Sequence, residues 1–237
     1  MSNINEKKLN FKANNLFVKL NKFEWFLIIA ISILNIIPFV LTKDVDMIGI
    51  TSSITGVICV VMTAKGHISC YFWGFINIVT YILIAYQAKL YGEVILNAAY
   101  YLPLQFIGYY MWDKHINKET KIVKTKGMNL ASIIMLFFAS ILGTISYSYI
   151  LGLMGSNLPL ANSMASALSL IAMYLSIKRY KEQWILWVLV NIVSLYMWII
   201  SLMNSEANSS VMVIMWFFYL INAVYGYINW DRMTKNV

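Results

Sequence analysis

Trp73-Gly-Phe-Ile-Asn77-Ile-Val-Thr80 is answered further along the chain by Trp187-Val-Leu-Val-Asn191-Ile-Val-Ser194. Tyr101-Leu102, Gly108-Tyr109 and Trp112-Asp113 return likewise as Tyr219-Leu220, Gly226-Tyr227 and Trp230-Asp231. The copies stand 114 residues apart in the first block and 118 in the second, so the second copy has about one extra helical turn between its blocks. A membrane unit duplicated within one chain is a usual build for a carrier.

Composition identifies the solvent. Hydrophobic residues make up 60% of the 237, charged residues 12%, and mean hydropathy is +0.69. A soluble domain is only about half apolar and about a quarter charged, so most of this chain faces lipid. Eight apolar stretches reach or approach the roughly 20 residues that a helix needs to cross a bilayer core. They predict transmembrane helices near 24–41, 46–63, 68–86, 91–112, 129–151, 159–177, 183–203 and 209–230. The fold class is an all-α membrane protein.

Charge orients the helices. With the N-terminus in the cytoplasm, sixteen of the 18 Lys and Arg residues fall on the inner side, and only Lys43 and Lys89 fall outside. The positive-inside rule then puts both termini in the cytoplasm, with residues 1–23 as a basic tail retained on the mature chain. Topology alone accounts for the net charge of +8, so no nucleic-acid partner is implied.

The repeat sets the architecture. Its copies begin four helices apart, an even number, so they share one orientation in the membrane. Bundles at 46–112 and 159–230 need an odd helix to bring the chain back across, and 129–151 supplies it. The expected arrangement is 1 + (3+1+3): residues 24–41 form an extra first helix, followed by two parallel three-helix repeats joined by a linker. Parallel repeats place a binding site between the bundles near the membrane midplane, opened to each side by rocking.

Four helices supply candidate lining residues. Trp184, Trp187, Asn191, Ser194 and Trp198 recur at helical spacing in the seventh stretch, as do Trp73, Asn77 and Thr80 in the third. Asn97, Tyr101, Gln105 and Gly108 mark the fourth, and Tyr219, Asn222 and Gly226 the eighth. Singly, such residues serve as helix-packing or interface groups: Gly108 and Gly226 suit close packing, and Trp112 and Trp230 suit anchoring at the membrane surface. Trp184 stands opposite Cys70 in the repeat and Gln105 opposite Ala223, an asymmetry that suits an asymmetric ligand.

No Asp, Glu, Lys or Arg falls within the spans away from their ends, so a phosphate would find no cation there. His, Cys, Asp and Glu form no metal-ligand cluster, and neither a catalytic pairing nor a cofactor motif is present. The expectation is a transporter with no enzymatic activity. Its substrate is neutral or cationic, planar, and rich in hydroxyl or amide groups.

The parallel duplication, the Trp184-x-x-Trp187-x-x-x-Asn191 face and its counterpart Trp73-x-x-x-Asn77, and the Tyr-rich helices around Gly108 and Gly226 together resemble the PnuC family of bacterial vitamin transporters. The resemblance covers residues 46 to 232. It implies a SWEET-like fold, a homotrimer in the cytoplasmic membrane, and facilitated diffusion of nicotinamide riboside, trapped inside by a cytoplasmic riboside kinase. Under it Trp184 and Trp187 enclose the pyridinium, and Gln105, Asn97, Asn191 and Asn222 bond the carboxamide or ribose. Tyr101 and Tyr219 close the cavity, with Trp73 and Asn77 also at the site. A thiamin or riboflavin carrier, or a vitamin-binding subunit needing an energy-coupling partner, remains the alternative.

Overall fold

In hydrocarbon every backbone N–H and C=O must be satisfied within the protein, and long apolar runs satisfy this as helices. The computed structural model describes residues 20–42, 47–87, 91–155, 158–204 and 209–235. It contains α1 (Lys22–Thr42), α2 (Met47–Lys65), α3 (Cys70–Gln87), α4 (Tyr91–Leu96), α5 (Leu102–Asp113), α6 (Leu130–Leu153), α7 (Pro159–Ile177), α8 (Gln183–Met203) and α9 (Ser209–Lys235). The described residues hold no strand, only isolated bridges. Seven of the eight predicted stretches each meet one helix to within two residues at either end, except that α9 continues five residues past 230.

Six of these helices, α2, α3, α6, α7, α8 and α9, are individually long and apolar enough to cross a membrane. The fourth predicted span is not one helix. Asn97–Tyr101 form a π-helical turn between α4 and α5. Pro103, which has no N–H to give to the carbonyl four residues back, is the second residue after it. The basic tail up to residue 19, and the outer Lys43 and Lys89, lie outside the described residues.

Helices α2, α3 and α5 pack together, as do α7, α8 and α9, and two seams join the groups: α2 against α9 and α5 against α7. Helix α6 packs on α7 and buries only Ser140 and Thr144 of its own residues. Helix α1 lies over the first seam, touching α2 and α9.

The basic end of the molecule is tied by two turns and a loop. Helix α2 closes with Gly66 at φ +72° and helix α7 with Arg179 at φ +67°, and both turns are bonded alike. His67 N–H donates to Met62 O and Tyr180 N–H to Leu175 O, while Gly66 N–H donates to Thr63 O and Arg179 N–H to Ser176 O. This pattern caps the last free carbonyls of each helix. The loop after α5 then crosses both turns: Val123 N–H donates to Gly66 O at 2.8 Å and Lys126 N–H to Arg179 O at 3.0 Å. Burial and the neighbouring Lys65 and Lys121 lower the His67 pKa to about 4, so the ring is neutral at physiological pH, accepting at Nδ1 from Ser69 N–H.

Glu24 fixes the start of α1. Its backbone N–H donates to Asn21 Oδ1, and its carboxylate accepts from Asn21 N–H, both at 2.8 Å, a reciprocal cap. The same carboxylate, 1% exposed, pairs with Lys65 of α2 at 2.7 Å and accepts from the Tyr225 hydroxyl of α9 at 2.8 Å. One carboxylate thus ties three helices. Glu24→Ala removes the buried carboxylate that joins Asn21, Lys65 and Tyr225 and is expected to cost about 3 kcal/mol. Asp231→Asn breaks pairs that solvent already screens and should leave the melting temperature nearly unchanged. Thermal unfolding in detergent checks both.

Candidate functional site

The two groups enclose a cavity of about 470 Å³. Helices α2, α3 and α5 form one wall, with Thr63, Tyr71, Asn77 and Gln105 on it. The facing wall comes from α7, α8 and α9 and carries Trp184, Trp187, Asn191, Trp216, Tyr219 and Asn222. No Asp, Glu, Lys, Arg or His lines it among the described residues, and no group of side chains able to hold a metal occurs among them.

Seven of the ten residues singled out from sequence line this cavity: Asn77, Gln105, Trp184, Trp187, Asn191, Tyr219 and Asn222. Trp73, Asn97 and Tyr101 do not. Asn97 is buried in the π turn, where the extra residue per turn shifts the helical stripe that had joined it to Gln105. Tyr101 lies edge-on to Tyr100, whose hydroxyl donates to Leu170 O of α7.

The position of Trp73 follows from the turns. Their hydrogen bonds correspond at a spacing of 113 residues, one less than the spacing of the matching letters. Tyr71, not Cys70, is therefore the counterpart of Trp184, and Gly74 that of Trp187. Glycine packing agrees. A Cβ at Gly108 would lie 2.3 Å from the Tyr71 ring, and one at Gly226 would lie 2.6 Å from the Trp184 ring. Each aromatic side chain rests on a glycine of its own group.

The asymmetry of the walls has the same origin. At Gly74 an added Cβ would meet Gln105 Oε1 at 2.7 Å, so the long amide fills the space that a small residue leaves. Across the cavity the large residue is Trp187 and the small one is Ala223. Each wall carries two amides, Asn77 and Gln105 on the first and Asn191 and Asn222 on the second, while the indoles of Trp184, Trp187 and Trp216 all stand on the second.

Two asparagines serve packing as well as lining. Asn77 Nδ2 donates to Ser52 O of α2 at 2.8 Å, while Asn191 Nδ2 donates to Trp187 O at 2.8 Å and Tyr219 O at 3.4 Å. Matching letters thus make unlike bonds. Asn222 Nδ2 donates to Val60 O at 3.3 Å across the seam, leaving Oδ1 buried without a partner. Trp184 Nε1, Trp216 Nε1 and the Tyr71 hydroxyl are also buried and unpartnered. Each such group costs about 1–3 kcal/mol until something bonds it.

At its basic end the cavity is closed by Trp112 and Trp230, both 0% exposed, with ring centroids 5.6 Å apart. The expectation that they anchor at the membrane surface is corrected. Trp112 Nε1 donates to Ser176 O of the other group at 2.9 Å, and Trp230 Nε1 donates back to Thr63 O at 3.0 Å. Buried indoles seek a partner for the N–H, and here the helix-end carbonyls supply one.

Residues 46–232 match the family described as nicotinamide mononucleotide transporter. A nicotinamide riboside transporter PnuC from Neisseria mucosa is 37% identical over 84% of this chain and 77% of its own length. The chain belongs to the PnuC family. A PnuC of Haemophilus influenzae is 32% identical, covering 83% of this chain and 84% of the relative. A crystal structure of the vitamin B3 transporter PnuC superposes with a TM-score of 0.77 at 34% identity, over 96% of this chain and 98% of that one. PnuC proteins are membrane transporters, not enzymes. Helix α1 precedes the family's matched region.

Tyr71, Trp216, Thr63 and Ser176 line the site of this PnuC chain without having been singled out from sequence. Tyr71 was legible only through the true register of the turns, and Trp216 had no partner letter in the repeat to mark it. Gly226→Ala should drive a methyl group into Trp184 and cost about 1–3 kcal/mol. Gly152→Ala, with nothing within 4 Å, should be neutral or slightly stabilising, and parallel melting curves compare the two.

Proposed function

We propose that this chain carries nicotinamide riboside across the bacterial cytoplasmic membrane. The observation that carries the reading is a cavity lined by no charged side chain among the described residues, with three indoles on one wall and amides on both. Nicotinamide riboside has a planar cationic ring, a carboxamide and ribose hydroxyls. Aromatic faces attract a cation by roughly 0.5–2 kcal/mol with no counter-ion, which suits the ring to Trp184 and Trp187. Gln105, Asn191 and Asn222 suit the carboxamide and sugar, and Tyr219 the cavity's outer closure. Asn77 holds α3 beside them. Asn97, Trp73 and Tyr101 act behind this layer.

The family description names the mononucleotide, while the curated relatives are named for the riboside. A phosphate would enter this cavity without a cation to meet it, which favours the riboside.

The chain has eight spans arranged as 1 + (3+1+3), with α1 as the extra helix, α6 as the linker, and the stretch 91–113 crossing despite its π turn. The paired turns, the paired aromatic–glycine contacts and the reciprocal Trp112 and Trp230 bonds support two parallel repeats. Both termini lie in the cytoplasm, which makes the Trp112–Trp230 end the inner one. Rocking the groups apart there releases substrate inward. Transport is facilitated diffusion, because no carboxylate lines the cavity for a proton among the described residues. Phosphorylation by a cytoplasmic kinase gives the substrate a charge this cavity does not accommodate, which makes import one-way. The protein assembles as a homotrimer.

Titration calorimetry on purified protein should show binding of the riboside and none of the mononucleotide, thiamin or riboflavin. Trp187→Ala and Gln105→Ala should each weaken binding about tenfold or more, about 1.4 kcal/mol. Preference for thiamin or riboflavin would move the substrate, and binding of the nucleotide would overturn the account of the lining.

A further inference from the structure

We propose that the α5–α7 seam binds an anionic phospholipid of the leaflet at the basic end, its phosphate held by Lys114 and Lys178, in the place that α1 fills at the α2–α9 seam. The inference stands on the paired turns and not on which substrate the cavity takes. Turns 113 residues apart carry Lys65 at the end of α2 onto Lys178 just past the end of α7. At the first seam Lys65 meets the Glu24 carboxylate of α1 at 2.7 Å. The same helix lays rings over that seam, Phe23 against Tyr225 at 5.1 Å and Phe26 against Phe218 at 6.2 Å. Helix α6 precedes the second bundle as α1 precedes the first, yet it packs on α7 and not on α5. No helix among the described residues packs on both α5 and α7 as α1 does on α2 and α9, and neither Lys114 nor Lys178 meets a carboxylate among them.

The two lysines stand at one depth. The Trp112–Ser176 bond sets α5 and α7 in register, and Lys114 and Lys178 each follow it by two residues. Each ammonium lies over a tyrosine one turn back, Lys114 over Tyr110 at 3.9 Å and Lys178 over Tyr174 at 5.8 Å. Those rings are 59% and 55% exposed and line no part of the cavity, so both pairs face lipid. The positive-inside bias explains why lysines gather at this end. It does not explain two cations, one from each group, at one depth beside a seam whose counterpart is closed by a carboxylate. Basic sites between helices at a membrane surface suit anionic headgroups. A phosphate bridging the lysines ties the two groups here as Glu24 ties α1, α2 and α9 on the other side, and the acyl chains run along the exposed Ile107 and Leu170.

Titration of short-chain phosphatidylglycerol into the purified protein in detergent tests the site. Lys114→Gln/Lys178→Gln should bind roughly tenfold more weakly than wild type. Lys118→Gln/Lys124→Gln, which removes the same charge from the exposed loop after α5, should bind as wild type does. Excess inorganic phosphate should not displace the lipid, and Lys114→Gln alone repeats the comparison if the double variant does not fold. Equal loss in both double variants would reduce the effect to overall charge, loss in neither would remove the seam as a site, and displacement by phosphate would make it an ion site; each overturns the proposal. Dissociation of an oligomer in the seam variant with lipid binding unchanged would place a second copy of the chain on the seam, and overturns it as well.

Discussion

Two indole N–H groups hold the halves of this protein together at its basic end. Trp112 gives its hydrogen bond to Ser176 and Trp230 gives its own to Thr63, so each half caps a helix carbonyl of the other. Neither bond closes unless both groups are seated, and the two rings, fully buried, pack against each other at the seam. In lipid an indole N–H without a partner is costly, and the pair therefore favours one closed arrangement of the seam. The loop over the two turns and the Glu24 cluster on α1 reinforce the same end.

What lies above this closure depends on volume. Glycine at 108 and 226 lets Tyr71 and Trp184 rest on their own groups, and exchanging large and small residues between Gly74–Gln105 and Trp187–Ala223 leaves the indoles on one wall alone. A duplicated scaffold thus encloses a site without two-fold symmetry. Stability and recognition draw on the same contacts, because the rings that pack the bundle also line the cavity.

Most of the fold was legible because lipid enforces it. Apolar length marked the helices to within two residues at nearly every end, and α9 ran on because its last turns pack Met233 on the Gly66 turn and bond the Thr234 hydroxyl to that of Thr125. The π turn was not legible, since a five-residue bond leaves no mark in hydropathy. Of the site, the Trp184-Trp187-Asn191 face could be read from helical spacing alone. Tyr71 was hidden because letters repeat at 114 while the turns repeat at 113, a difference of one residue that rotates a helix by about 100°. Trp112 and Trp230 looked like surface anchors because each precedes an aspartate, and only their neighbours across the seam reveal them as buried.

The most direct test of the central claim is uptake of labelled nicotinamide riboside into liposomes containing the purified protein, with and without imposed sodium or proton gradients. The account predicts equilibration that ignores both gradients and is not competed by the mononucleotide. Accumulation above the external concentration under either gradient, or competition by the nucleotide, would contradict an uncharged, uncoupled path.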